Sequence, residues 1–291
     1  GMQPMSERTE PYFGPGGNCE AFYASGAKAT KDAPAWVRSI GLTAYEYEAG
    51  RGVSVGEGVL REIGEAAIHA GIHMSLHAPY FISLSGTDPE TRLKSISYID
   101  KSLWAADLLG ADTIVVHCGS CAKITREEAM RLSADTLDKT LASAGYPRVK
   151  IGIETMGKKN QLGTLEEVIT LCRADARLVP VVDFGHLNAR DCGGVFTTSD
   201  DYRRVFDRIG EALGEEVAKN LHCHFSKIEW TDAGEKRHLT FDDEVYGPAY
   251  EPLMEALVRE GLTPTIICES AGTQAYDALA MKKCYEGVLK Q

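Results

Sequence analysis

Short β-rich runs alternate with helical patterns along the whole chain. Each run is rich in β-branched and aromatic residues and is followed by a segment with helical periodicity. The eight runs are PYFGPG, TAYEYEA, IHMSLHAP, ADTIVVHCG, KIGIETM, RLVPVVDFG, NLHCHFS and TPTIICES. Eight such units in 291 residues predict an α/β fold, a single-domain (β/α)8 barrel of the TIM type. A doubly wound open sheet is the structural alternative, but eight units would be many for one.

Two of the helical segments carry clear signals at their ends. Asp88 is a candidate N-cap ahead of Pro89, and Gly110 closes the same segment. Thr164 is followed three residues later by Glu167, which is the spacing of a capping box. These signals predict helices that begin just after Asp88 and Thr164.

The chain shows no sign of a second domain or of a membrane segment. No linker rich in Pro, Ser or Gly divides it, so residues 10–291 are expected to form the barrel. Residues 1–9 are interpreted as a tail, with Gly1 as the remnant of a tag. No apolar run approaches the roughly 18 residues needed to span a bilayer, and residues 1–11 lack the apolar core of a signal peptide. We therefore expect a cytoplasmic monomer without a membrane partner.

Charge and cysteine content exclude few of the possible functions. The net charge of −11 disfavours a nucleic-acid partner unless bound divalent cations neutralise part of it locally. Eight cysteines without a secretion signal indicate reduced thiols. Cys118 and Cys121 form a C-x-x-C spacing, which leaves a redox dithiol possible, although we favour two incidental thiols at a strand end.

Histidines and carboxylates concentrate at the carboxyl ends of the predicted strands, where TIM barrels build their active sites. The histidines at this rim are His77, His117, His186, His222, His224 and His238. The acidic residues there are Glu46, Glu48, Glu154, Asp183 and Glu269. Any one of them could be a hydrogen-bonded strand cap. Burying this many histidines and carboxylates together would be costly without cations to bind them. We therefore predict a site that holds several metal ions.

The mixture of imidazole and carboxylate groups suits Zn2+, with Mn2+ or Fe2+ as alternatives. His222 and His224 are two residues apart in one predicted strand, so either both point into the barrel mouth or neither does. One can be a ligand while the other supports it. Asp183 is placed at a strand end and His186 in the turn after it, so their side chains need not converge.

The ordered motifs resemble the endonuclease IV family of apurinic/apyrimidinic (AP) endonucleases, within the xylose isomerase-like TIM barrel superfamily. The resemblance covers residues 70–272 and is weaker before them. Its motifs are SLHAPY, VVHCGS, IGIETM, NQLGTLEEV, VVDFGH, LHCHFS, KRHLTF and IICES. It implies a zinc-dependent hydrolase with two or three Zn2+ ions. Such an enzyme would cut DNA at abasic sites in base excision repair, using a metal-bound hydroxide.

The resemblance also implies roles for individual residues. The expected metal ligands are His77 and His117 for the first ion, Asp183, His222 and Glu269 for the second, and His186 and His238 for the third. Glu154 would bridge the first two ions, and Glu154 and Glu269 would be the catalytic carboxylates. The expected DNA contacts are Tyr80, Arg51, Lys227 and Arg237.

One stretch departs from the family pattern. The family has Asp-Arg-His at the third ion, whereas this chain has Lys236 in place of the aspartate, with Glu235 displaced by one position. Either Glu235 reaches the ion by a different path, or the third site is weak or empty. The segment around Arg51 also lacks the family's usual DNA-inserting loop.

Two other functions fit parts of the pattern. A sugar or sugar-phosphate isomerase or epimerase on the same barrel would need one ion, and Glu154, Asp183, His222 and Glu269 would satisfy it. Such an enzyme does not require His77, His117 or His238, so their presence favours the nuclease. A barrel that binds ligand without turnover is the third possibility.

Overall fold

Parallel strands follow one another around a barrel in residues 8–291, the part of the chain that a computed structural model describes. All eight predicted runs contain a barrel strand, which confirms the predicted TIM barrel fold. The barrel strands are β1 (Tyr12–Pro15), β2 (Ala44–Glu48), β3 (His73–His77), β4 (Thr113–Val116), β5 (Lys150–Glu154), β6 (Leu178–Asp183), β7 (His222–Phe225) and β10 (Thr265–Cys268). Two further strands, β8 (Ile228–Thr231) and β9 (Gly234–His238), form a separate hairpin.

Helices follow the barrel strands as the periodicity predicted. They are α1 (Glu20–Ala24), α2 (Ala33–Ser39), α3 (Glu57–Ala70), α4 (Pro89–Leu109), α5 (Arg126–Ser143), α6 (Leu165–Cys172), α7 (Phe184–Arg190), α8 (Ser199–Leu213), α9 (Glu215–Lys219), α10 (Glu251–Glu260) and α11 (Gln274–Leu289), with a 3-10 turn at Thr30–Asp32. The predicted signals are confirmed: Asp88 caps α4, and Thr164 and Glu167 form a capping box on α6.

The barrel closes where β1 meets β2. The strand order is β1-β10-β7-β6-β5-β4-β3-β2, with every neighbouring pair parallel. At the seam, the Gly17 amide donates to the Glu46 carbonyl (2.9 Å) and the Thr43 amide donates to the Phe13 carbonyl (3.0 Å). The two strands approach so closely at Gly14 that a Cβ there would lie 1.6 Å from the Ala44 carbonyl oxygen. Glycine is therefore required at this position.

The two faces of each barrel strand have different surroundings. Tyr45 of β2 is buried in the apolar layer beneath the helices, whereas Glu46, the next residue, is buried with polar partners. Successive strand residues point to opposite faces, so the inward positions of β2 are Ala44, Glu46 and Glu48. The upper interior of the barrel is thus lined with ionisable groups instead of the branched apolar residues usual in this fold.

The hairpin of β8 and β9 was not predicted. The sequence pattern predicts a loop that contains His238 and then a helix after the β7 run, but an antiparallel hairpin occupies part of that loop before α10. The turn contains Gly234 at φ +96°, a left-handed conformation that favours glycine. Because the hairpin is short and partly exposed, its apolar alternation is too brief to stand out from a loop.

Three further sequence predictions concern the chain's periphery. The predicted boundary at residue 10 remains a prediction, and residues 1–7 of the predicted tail lie outside the described residues. Arg8 already contacts the barrel, since its guanidinium donates to Thr265 Oγ1 (3.0 Å). Burial raises the pKa of the Cys118 thiol, which disfavours a reactive dithiol with Cys121. Within residues 8–291, no helix is long and apolar enough to cross a membrane.

The seam at Gly14 yields a stability prediction. Gly14→Ala would force β1 away from β2, so we expect a loss of about 3 kcal/mol in unfolding free energy and a melting temperature lower by roughly 5–10 °C. Gly58→Ala is the matched control, because Gly58 lies in α3 with nothing within 4 Å of the added methyl group. That control should be neutral or slightly stabilising. Equal melting temperatures for the two variants would contradict the close approach.

Candidate metal centre

The first group of candidate ligands joins three neighbouring strands at the barrel mouth. His77 is the last residue of β3, His117 follows β4 directly, and Glu154 is the last residue of β5. Glu154 Oε1 lies 3.4 Å from His77 Nε2 and 2.9 Å from His117 Nε2. The structure therefore brings together the three residues predicted to hold the first ion.

The second group contains Glu154 again, now through its other oxygen. His224 Nδ1 lies 2.9 Å from Glu154 Oε2, 3.0 Å from Glu269 Oε1 and 3.8 Å from Asp183 Oδ2. The histidine of this group is thus His224, whereas the sequence reasoning assigned His222. Glu154 is common to both groups, as a bridging carboxylate would be.

Strand register explains why His224 replaces His222. In the pairing of β6 with β7, Asp183 lies opposite His224, whereas His222 lies opposite Val181, one inward position deeper. Both histidines point into the barrel, which agrees with their spacing of two. His222 Nε2 is hydrogen-bonded to Glu46 Oε1 at 2.8 Å and so belongs to the layer beneath the mouth.

The third group is built by α7 and the hairpin. Glu235 Oε2 lies 3.4 Å from His186 Nε2 and 3.4 Å from His238 Nε2. Two of these residues, His186 and His238, were predicted ligands. Glu235 supplies the carboxylate that the family pattern would have placed at Lys236.

A β-bulge decides between Glu235 and Lys236. Trp230 pairs with Glu235 and Glu229 pairs with Arg237, so Lys236 is the extra residue of β9. Glu235 and His238 are three residues apart, so in a regular strand their side chains would face opposite sides. The extra residue between them shifts the alternation by one, and both side chains face the same side. Lys236 instead has an exposed side chain that forms an ion pair with Glu229 (3.1 Å).

Asp183 and His186 are closer than expected, because α7 begins at once after β6. Asp183 Oδ1 accepts the His186 backbone amide (2.8 Å) as the N-cap of α7, and Asp183 Oδ2 lies 3.3 Å from His186 Nδ1. His186 therefore lies in a helix, where a turn was predicted. This contact makes the second and third groups adjacent.

Hydrogen bonds at Nδ1 orient three of the histidines. His77 Nδ1 donates to the Ala78 carbonyl (2.7 Å) and His186 Nδ1 donates to the Thr155 carbonyl (2.8 Å). His238 Nδ1 is hydrogen-bonded to Ser226 Oγ (2.8 Å). Because a carbonyl oxygen can only accept, His77 and His186 hold their protons at Nδ1, and the Nε2 lone pair of each of these two rings is free to bind a cation.

The charges in the centre depend on one another. Burial alone would raise the pKa of Glu154, but His224, His117 and His77 hold it well below its ordinary value. Burial raises the pKa of Asp183 to about 7 even though His186 opposes the shift. It also raises the pKa of Glu48 to about 8, with Glu46 and Glu269 adding to the shift. Protons and histidine charges thus balance the carboxylates of the ion-free protein.

The donor set fits divalent metal ions. Glu154 Oε1 and Asp183 Oδ2 are buried and have no aligned hydrogen-bond donor, although imidazole nitrogens surround them. A buried anionic oxygen without a donor is costly, and a cation shared with the neighbouring imidazoles would stabilise it. Imidazole with carboxylate oxygen is a donor set typical of zinc, and also of manganese or iron.

A cavity of about 380 Å³ opens over the first and third groups. Its lining residues are His77, Tyr80, His117, Glu154, Met156, Lys158, Gln161, His186, Glu235, His238 and Glu269. Tyr80 is half-exposed, and its hydroxyl donates to Glu48 Oε2 (3.1 Å). The structure therefore places the predicted substrate contact Tyr80, and also Lys158, beside the candidate ligands.

The other three predicted substrate contacts lie elsewhere. Arg51 lines a separate cavity of about 230 Å³. Lys227 Nζ donates to the carbonyls of Phe241 (3.1 Å) and Asp243 (2.6 Å), which ties it to the loop after the hairpin. Arg237 forms an ion pair with Glu229 (3.0 Å). A direct role for these cations in substrate binding remains a prediction.

The sequence places Glu46 among the acidic residues of the rim but indicates no role for it. It lies beneath the second group, where it contacts both His222 and His224. The alternation AYEYE could have placed Glu46 on the inward face of β2. Its partners, however, lie on β7, across the barrel, and no local pattern links the two strands.

Comparison with known proteins establishes the family. The model of the xylose isomerase-like TIM barrel family matches residues 34–284. An uncharacterized protein of Methanocaldococcus jannaschii, MJ0133, is 31% identical over 254 residues, covering 86% of this chain and 89% of that protein. The chain therefore belongs to the xylose isomerase-like TIM barrel family.

The endonuclease resemblance is also confirmed at the level of sequence. A probable endonuclease 4 of Acholeplasma laidlawii is 29% identical over 192 residues, covering 65% of this chain and 63% of that protein. The match thus spans somewhat less than two thirds of that relative.

Solved structures show the same fold with more than one activity. Endonuclease IV from Thermus thermophilus superposes with a TM-score of 0.64 at 21% identity, covering 96% of this chain and 99% of that one. A 3-keto-D-glucoside 4-epimerase from E. coli gives a TM-score of 0.67 at 15% identity, covering 94% and 100%. At such identities these likenesses establish the fold alone.

The bulge leads to a prediction about metal content. We expect Glu235→Gln to lower the metal content by one ion per chain after dialysis, because the amide is a weaker ligand than the carboxylate. Lys236→Gln, the adjacent control, should retain the wild-type content, since Lys236 faces Glu229. Metal analysis of both purified variants measures the difference. A loss of one ion from the Lys236 variant instead would show that the hairpin has another register.

Proposed function

We propose that the chain is a metal-dependent phosphodiester hydrolase of the endonuclease IV kind. The observation that carries the proposal is the linkage of three ligand groups into one cluster. Glu154 belongs to both the first and the second group, and the contact of Asp183 with His186 joins the second to the third. Such a cluster suits a substrate whose negative charge is spread over several oxygen atoms, as it is in a phosphodiester.

Bound divalent ions would supply Lewis-acid stabilisation of the phosphate charge and lower the pKa of water in the cavity. The chain's own residues fix the geometry. Glu154 holds the first two groups together, and Glu269, at the cavity wall, is the second catalytic carboxylate, which stays ionised and can hold a cation and orient the attacking water. Burial opposes its ionisation, but the charge of His224 holds the pKa of Glu269 at about 2. Lys158, also at the wall, can neutralise a phosphate oxygen.

DNA with an abasic site is the substrate we propose. The sequence likeness to a probable endonuclease 4 supports this choice. The net charge of −11 is compatible with it, because the cations of the cluster would offset the acidic rim where the phosphate binds. We propose Zn2+ as the resident ion, with Mn2+ or Fe2+ as alternatives. We expect this DNA repair activity in the cytoplasm.

A sugar epimerase is the second candidate. It is supported by the second group alone, since Glu154, Asp183, His224 and Glu269 form a complete four-residue set for one ion. The first and third groups would then have no function, which is why we favour the hydrolase.

Metal content and activity, measured on one preparation, separate these functions. A hydrolase should contain two or three ions per chain and should incise a duplex with a single abasic site, but not the intact duplex. One ion per chain, no incision and interconversion of ketoses would instead establish the epimerase. Binding of either substrate without turnover would indicate a barrel that has lost activity.

His117 provides a test that is specific to the first group. We expect His117→Ala to reduce incision by at least about a hundredfold, because removal of a ligand should cost no less than removal of a supporting group. His69→Ala is the control, since His69 lies exposed on α3. Initial rates on the abasic duplex and metal analysis check this. A fully metallated and active His117 variant would contradict the assignment.

A further inference from the structure

A second polar layer lies directly beneath the metal centre. Glu46 is completely buried in the barrel interior, two residues before Glu48 on β2. It lies opposite Ser75 in the pairing of β2 with β3, whereas Glu48 lies opposite His77. Glu46 is therefore one inward position deeper than the residues that line the cavity.

The carboxylate of Glu46 reaches across the barrel to β7. Its Oε1 accepts hydrogen bonds from Ser75 Oγ (2.9 Å) and His222 Nε2 (2.8 Å). Its Oε2 lies 2.7 Å from His224 Nε2, in a close ionic contact without the alignment of a hydrogen bond. Strands β2 and β7 are not neighbours in the sheet, so this contact crosses the interior.

The two nitrogens of His224 face different partners. Nδ1 faces Glu154 and Glu269 of the second ligand group, whereas Nε2 faces Glu46. A neutral imidazole that binds a cation through Nδ1 must carry its proton on Nε2. A negative charge 2.7 Å from Nε2 favours that tautomer.

We propose that Glu46 is a positioning residue that holds His224 in the orientation and tautomer needed to bind a metal ion through Nδ1. His222 and Ser75 act with it by fixing the carboxylate from two sides. This inference rests on the metal centre of the proposed function and adds a residue that contacts neither the cavity nor the substrate.

The placement of Glu46 argues against a role limited to barrel packing. Burying a carboxylate is costly even after the protein relaxes. Barrel interiors are ordinarily filled by branched apolar residues, which would pack here without that cost. A charge is useful at this depth because it stabilises an N–H on the ring above it. The same charge also strengthens the imidazole as a ligand.

Glu46→Gln tests the proposal, because it keeps the shape of the side chain and removes its charge. The Zn2+ affinity of each protein is measured by competition with a chelator, and the number of ions is measured by metal analysis. We expect affinity at the second ligand group, which contains His224, to fall by about 10- to 100-fold, with no change in the number of ions at saturation. In zinc-loaded Glu46→Gln, 15N NMR should show the His224 Nε2–H signal shifted from its wild-type position and exchanging faster with solvent, because the N–H has lost its charged partner.

Two variants accompany it. Ser75→Ala removes one hydrogen bond to Glu46 and should lower the affinity by roughly threefold, which preserves the test if Glu46→Gln does not fold. Glu167→Gln removes a mostly buried carboxylate that pairs with Arg126 and caps α6; none of its partners is a candidate ligand, so Zn2+ affinity should be unchanged. Melting curves of the ion-free proteins report separately on folding.

Three outcomes would overturn the inference. Zn2+ affinity within twofold of wild type, with only a lower melting temperature, would make Glu46 a packing residue. Loss of one ion per chain at saturation would make Glu46, His222 and His224 a ligand set of their own. A His224 Nε2–H signal with the wild-type shift and exchange rate would show that Glu46 does not act on this N–H. A wild-type chain that binds no ion would instead overturn the proposed function itself, so the two failures are distinct.

Discussion

The buried charge of Glu154 is the constraint around which the site is arranged. A carboxylate this deep in a barrel needs positive or hydrogen-bonding partners on every side. His77 and His117 approach one oxygen and His224 approaches the other, each from a different strand. A metal ion could replace the protons on these imidazoles without disturbing the arrangement. The same constraint explains why two ligand groups share a single residue.

Local backbone features, namely an N-cap, a β-bulge and two carbonyl groups, orient the remaining candidate ligands. The N-cap at Asp183 starts α7 directly after β6 and so brings His186 next to the second group. The bulge in β9 turns Glu235 and His238 toward His186 and sends Lys236 outward. Carbonyl groups at Ala78 and Thr155 fix the protons of two rings. Each of these features is local, but the candidate ligands meet only because the barrel brings the three segments together.

Two kinds of chemistry are compatible with this barrel, and the difference between them lies at its edge. The second ligand group alone is a complete set for one ion, and an epimerase shares the fold. The first and third groups extend the cluster of candidate ligands along the barrel mouth. In TIM barrels, function generally depends on the loops and strand ends around the mouth, which is where these two groups lie.

Local pattern determined much of this protein: the barrel, the capped helices and the concentration of histidines at the strand ends follow from periodicities that neighbouring residues create. Tertiary structure alone decided which groups meet. His224 takes the place expected for His222 because of the register of β6 with β7. Glu235 takes the place expected at Lys236 because of a bulge in a hairpin that the pattern did not reveal. Glu46 meets β7 only because the sheet closes. Register, bulges and closure depend on distant residues, so the sequence read locally could not fix them.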